Sequence, residues 1–142
     1  MSTLAGIRQH AARIRDRAAG DDGDASIEMT IVFPFVILLT IAVVQASMWY
    51  HARDIALAAA REGANAGSGY QQSAGDGQAR AWDVLHRIAG DSLRQPGVSP
   101  AGSTAQTIRI TVTGTAVSML PGMPDLHVSQ SASSTREQWT AP

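Results

Sequence analysis

Apolar positions change their pattern twice along this chain. Residues 1–23 are polar, with Arg8, Arg13, Arg15 and Arg17, a closing Asp21-Asp22-Gly23, and only a weak helical stripe of Leu4, Ile7, Ala11, Ala12 and Ile14. From Met29 to Tyr50 no side chain is formally charged. At about 1.5 Å per helical residue that run reaches roughly 33 Å, enough for a bilayer core of about 30 Å. Glu28 stands alone at its threshold, where a carboxylate is costly unless it sits among headgroups or finds a partner. Pro34 removes a backbone donor inside the run and predicts a kink or local loosening. Thr40, Gln45 and Ser47 are mild polar interruptions that either bond a neighbouring helix or are tolerated as they stand. Trp49 and Tyr50 fall at the far boundary, where amphipathic rings favour headgroups. A secretory signal has a shorter apolar core with a small-residue cleavage site directly after it; here Arg53 and Asp54 intervene before Ala58-Ala59-Ala60.

Past the span, HARDIALAAAREGANAG is alanine-rich and lacks proline, which predicts that the helix continues to about Asn65. Ala52, Ala56, Ala59, Ala60 and Gly63 recur at helical spacing as a stripe of small residues that lets another backbone approach closely. Its partner is either the protein's own second helix or a sister subunit. GSGYQQSAGDGQ reads as a loop with Asp76 capping a second helix, AWDVLHRIAGDSL, whose apolar face is Ala81, Val84, Leu85, Ile88 and Ala89. RQPGVSPAGSTAQ, broken by Pro96 and Pro100, reads as a second loop. In TIRITVTGTAV, Ile108, Ile110 and Val112 alternate with polar residues, the pattern of a half-buried strand. MLPGMPD is a turn, LHVSQSASS pairs back as a partner strand, and TREQWTAP frays.

These elements predict an α+β, membrane-anchored chain. A long N-terminal transmembrane helix continues into a small head with a second helix and a C-terminal antiparallel hairpin or small sheet. The expected divisions are a basic cytoplasmic leader at 1–23, a transmembrane and stalk helix at 24–66, and an extracytoplasmic head at 67–142. The arginine excess before the span, against Arg53 and Arg61 after it, favours an N-terminus in the cytoplasm and a C-terminus outside. With the span and leader set aside, about 90 residues remain, enough for a small domain that is marginal by itself and leans on partners.

Composition removes several classes of function. Net charge is −1, too near neutral for a nucleic-acid binder. The absence of cysteine excludes disulfides, thiolate zinc sites and a cysteine lipid anchor. His10, His51, His86 and His127 are scattered without metal-ligand spacing, and His86 reads as the surface partner of Asp83. No hydrolase, P-loop, zincin or dinucleotide motif occurs. The expectation is a non-enzymatic protein with no catalytic residue, metal or cofactor.

At Gly23-Asp24-Ala25-Ser26-Ile27-Glu28 the chain resembles the processing region of type IV pilin-like proteins, in which a glycine precedes the cut and a glutamate lies fifth after it. That border, the proline-containing span and the following AAREGA together resemble the TadE family of the tight-adherence pilus system. The late VTGTA and LPGMPDLHVSQSAS stretches also resemble TadE-like proteins of actinobacterial type, so the likeness runs from about Asp22 to Gln130. Asp24 departs from the pattern, since many pilins carry an apolar residue there.

The resemblance implies a minor pilin or pseudopilin in assembly of a tight-adherence (Flp-type) pilus. It implies a prepilin-type peptidase acting at Gly23, Asp24 and Glu28, and other pilins and assembly machinery as partners besides the bilayer. It places the protein in the cytoplasmic membrane as a single pass, or in the extracellular pilus. Subunit packing would use Glu28 and Pro34 together with Ala52, Ala56, Ala59, Ala60 and Gly63. Cleavage after Gly23 would create an α-amine at Asp24 with an unperturbed pKa of about 7.7–8.0. That cation can neutralise Glu28 of an adjoining subunit and set the stagger between helices. The alternative is an uncleaved single-span adaptor of a secretion or cell-envelope complex, with Glu28 at headgroup level.

Overall fold

The computed structural model describes the backbone of residues 3–120, 122 and 124–137, and side chains from Ile27 onward within that range. Five elements follow in order: α1 (Thr3–Ser68), α2 (Ala74–Ile88), β1 (Leu93–Ser99), β2 (Thr107–Ala116) and β3 (Leu126–Thr135). The architecture is α+β, with a long apolar N-terminal helix, a second helix and a small antiparallel sheet. Two compact units are present, one ending at Val43 and one running from Val44. The first is the N-terminal part of α1. The second, the head, contains the rest of α1 and every other element.

The head is built on alternation. In β2, Ile108, Ile110 and Val112 are 1%, 0% and 0% exposed, while Arg109 between them faces solvent. Their inward face meets Ala52, Ile55, Ala56, Ala59 and Ala60 of α1 and Ala81, Val84 and Leu85 of α2 in one core. The sheet is a meander ordered β1-β2-β3. β2 and β3 pair without interruption from Thr107↔Thr135 to Ala116↔Leu126. The outer face is a mixed serine and threonine surface, with Thr111 opposite Ser131 and Thr113 opposite Ser129.

RQPGVSPAGSTAQ departs from its reading as a loop, because β1 occupies its first part and pairs with β2. The alternation that would have revealed it is broken at a register shift between Arg94 and Gly97. There Gln95 adopts φ 48°, and Pro96 follows at a position that needs no ladder donor. A bulged edge strand tolerates both residues. Leu93, at 2% exposure, anchors the strand in the core.

α2 also starts earlier than its sequence pattern suggests, and Asp76 is not its N-cap. Ser73 is the cap, in extended conformation, and Asp76 is the third helical residue of a capping box. The Asp76 amide donates to Ser73 Oγ at 3.2 Å, and the Ser73 amide donates to Asp76 Oδ2 at 2.8 Å. Two otherwise orphaned donors are thereby satisfied, which lets the helix include Gly75 and Gly77 despite their poor propensity. Ala81, Val84, Leu85 and Ala89 are buried as their spacing predicts, whereas Ile88, the last residue of α2, is 47% exposed. His86 stacks on Trp82, with ring centroids 5.9 Å apart, in place of the expected pairing with Asp83.

Hydrogen bonds from the Ser73 hydroxyl, and then from its backbone, hold the Asp76 carboxyl below its usual range. A carboxyl lowered on folding stabilises the fold above its unfolded pKa, and that contribution disappears as pH falls through the folded value. Asp76→Asn is therefore expected to lower head stability at neutral pH, with the gap to the parent closing as pH falls below the usual carboxylate range. Denaturant unfolding of both proteins across the acid range checks this.

Candidate functional site

Most large apolar side chains of the α1 run are exposed. Phe33, Phe35, Leu38 and Leu39 are 61–68% exposed, and Val32, Val36, Ile37 and Val43 are also exposed on the other sides of the helix. The helix is thus apolar all round, as expected for a segment whose solvent is lipid. Ile27–Ser68 contains a stretch long and apolar enough to cross a membrane, with mean hydropathy 2.5 in its most apolar window. Thr40 donates back to the Val36 carbonyl at 2.8 Å, so its hydroxyl is satisfied within the helix.

Glu28 is exposed beside this run, and no ion pair to it occurs among the described residues. Pro34 lies within α1. Gly23 and Asp24, where the family resemblance leads one to expect processing, fall outside the residues whose side chains are described.

The small-residue stripe has a different environment. Ala52, Ala56, Ala59 and Ala60 are each 0% exposed, in the core of their own chain. Gly63 faces α2 so closely that a Cβ there would stand 2.6 Å from the Gly77 carbonyl oxygen and 2.9 Å from Ala81 Cβ. Of the two partners left open by the sequence, the chain's own head occupies this face. The adjacent Glu62 accepts from Arg80 of α2, at 2.7 Å from Nη2 and 3.2 Å from Nε. AREGA is therefore a clasp: Gly63 permits the crossing, Glu62 reaches over it, and Ala64 is buried at 1% exposure.

Gln45 has a role that its sequence context did not reveal. It is 8% exposed, with its Nε2 donating to the Val117 carbonyl at 3.2 Å and its Oε1 accepting from the Met119 amide at 2.9 Å. The only available signal was a long amide side chain in an apolar run, and the groups it bonds lie more than 70 residues away. One turn later, Trp49 packs against the core, Arg53 lies 5.7 Å from its ring centroid, and Tyr50 meets it edge-on at 5.1 Å.

No cluster of histidine, aspartate and glutamate suited to a metal ion occurs among the described residues. A groove of about 210 Å³ beside Trp82, His86, Leu93 and Pro96 is smaller than the roughly 300–1,000 Å³ of small-molecule sites.

Fold and site together define a class: one candidate membrane-crossing helix among the described residues, whose C-terminal part is built into a small αβ head. Residues 23–65 match the family model described as TadE-like protein, the family that GDASIE and AREGA resemble. The matched region covers the Gly23–Glu28 border, the apolar run, the alanine stripe and the clasp; the later strands lie beyond it. No curated protein and no solved structure matches the chain.

The clasp has a measurable consequence. Gly63→Ala places a methyl against backbone, and overpacking of this kind costs about 1–3 kcal/mol, more than the roughly 1 kcal/mol recovered in helix propensity. Glu62→Ala removes an exposed ion pair, with Arg80 and Glu62 side chains 39% and 48% accessible, and pairs of that kind contribute about 0–1 kcal/mol. Chemical unfolding is expected to rank Gly63→Ala as the more destabilised variant.

Proposed function

We propose that this chain is a TadE-like minor pilin or pseudopilin that takes part in assembling a tight-adherence (Flp-type) pilus. The observation that carries the reading is the TadE-like match over residues 23–65. At family level that match supports a tight-adherence pilus function. The exposed apolar run with Glu28 at its border supports the finer role. In this reading α1 anchors the protein in the cytoplasmic membrane, with the leader inside and the head outside. A prepilin-type peptidase cuts after Gly23, and the mature helix joins other pilins and the assembly machinery in building a secreted, adhesive fibre. The protein acts structurally and catalyses nothing.

Within the chain the alanine stripe is buried in the head, which supports a reading in which sister subunits meet elsewhere. Intersubunit packing then falls to the exposed stretch that contains Glu28 and Pro34. A charge pair between Glu28 and the Asp24 α-amine of a neighbour offsets the cost of both ions near lipid and fixes the axial stagger.

The mass of the mature chain from cells holding the cognate peptidase tests processing. Loss of residues 1–23 in the parent, abolished by Gly23→Ala, is the expected result. Retention of the leader in a parent strain that processes its other pilins would leave an uncleaved single-span adaptor instead.

Glu28→Gln isolates the charge pair. The apolar run suffices for insertion, so membrane fractionation is expected to be unchanged. Crosslinking to sister or partner pilins from a probe in residues 25–30 is expected to fall. Equal crosslinking would reduce Glu28 to an interfacial residue.

A further inference from the structure

The loop between β2 and β3 is apolar where a surface loop is ordinarily polar. Met119 is 61% exposed and Leu126, at the start of β3, is 40% exposed. The sequence MLPGMPDL has one charge, Asp125, and that carboxylate accepts a hydrogen bond from the loop's own Ser118 amide at 3.2 Å. Gln45 fixes the loop to α1 through both of its amide atoms.

Val44, exposed and apolar, directly precedes Gln45, a rise of about 1.5 Å along a helix. The loop is thus bonded to α1 where the uncovered apolar run gives way to the head. The length of that run sharpens the point. A hydrocarbon core of about 30 Å takes about 20 helical residues, and counting from Glu28 reaches about Met48. The hydrocarbon boundary then lies beyond Gln45, near Trp49 and Tyr50, the residue types that favour it. An unpaired amide or peptide group at that depth would be costly. Gln45 and the Val117–Met119 backbone remove the cost for each other, since Val117 and Met119 lie past the end of β2 at Ala116 and outside its ladder.

We propose that the β2–β3 loop is a membrane-contact loop, seated in the interfacial layer of the bilayer that α1 crosses, with Met119 and Leu126 against lipid. The occupant is lipid because the loop is bonded to Gln45, which lies within the uncharged Met29–Tyr50 run of a helix long and apolar enough to cross a membrane. This inference rests on α1 being a membrane span and is independent of processing or pilus assembly.

The chain has no cysteine, so single labelling sites are available. Met119→Cys, Ala101→Cys in the β1–β2 turn, and Val36→Cys in the apolar run are each labelled with an environment-sensitive fluorophore. The full chain is reconstituted at low density in phosphatidylcholine–phosphatidylglycerol vesicles, and quenching by aqueous iodide is compared with quenching by lipids carrying spin labels at shallow or deep acyl positions. The expected result is deep-label quenching at position 36, shallow-label quenching with a blue shift and loss of iodide quenching at 119, and iodide quenching alone at 101. Quenching at 36 with a probe at 119 that responds like the one at 101 overturns the loop inference while leaving the span intact. Shielding of 119 from iodide without lipid quenching also overturns it, in favour of contact with a second protein copy. No lipid quenching at 36 removes the span and the inference together.

Discussion

Lack of side-chain bulk along one line of α1 sets the distance at which the head can be assembled. Ala52, Ala56, Ala59 and Ala60 bring the helix surface close to its axis, and Gly63 and Gly77 remove the last obstacle at the crossing with α2. Ile108 and Ile110 reach into the space left over: a Cβ on Gly63 would just touch Ile110 Cγ2 at 3.4 Å, and one on Gly67 would crowd Ile108 Cγ2 at 3.1 Å. Larger residues on α1 would push the sheet outward and separate α2 from it together. A head of this size has little area to bury, so closeness of approach substitutes for bulk. Part of the family resemblance, AREGA, falls at this crossing, where Gly63 and Ala64 supply small side chains.

α1 therefore meets two solvents with two surface designs. From Ile27 to Val44 its large apolar side chains are mostly exposed, on every side, and further on Ala52, Ala56, Ala59 and Ala60 face the core fully buried. Gln45 stands at the change. A buried amide contributes little net stability when satisfied but costs several kcal/mol when left unpaired in an apolar setting. Its two bonds to the β2–β3 loop thus specify register: the loop can close on α1 only where that amide waits.

Features with a local period were the ones legible in the sequence. The uncharged run, the Ile108-Ile110-Val112 alternation, the partner strand at Leu126–Thr135 and the α2 face could all be read from spacing. β1 could not, because Gln95, Pro96 and Gly97 interrupt its pattern and its identity as a strand depends on pairing with β2. The start of α2 was hidden by two glycines whose poor propensity is overcome by the Ser73–Asp76 box. At the candidate site, Glu28 and the Gly23 border were conspicuous through position alone. The Gln45 bonds were invisible because the partners are backbone groups far along the chain, and no composition rule pairs an amide with a distant peptide. Whether the stripe served the chain itself or a neighbour was also undecidable from spacing, since small residues permit either contact.

The order of elements along the chain also bears on biosynthesis. The alanine stripe is made first, and the strands that complete its cover are made last, with β3 ending at Thr135. At about 5–20 residues per second, roughly 70 further residues leave that face without its full cover for several seconds. A leucine stripe would present a sticky surface for that interval, whereas each alanine exposes little more than a methyl group. Small side chains in the helix thereby make the waiting half of the core harmless until its partners emerge.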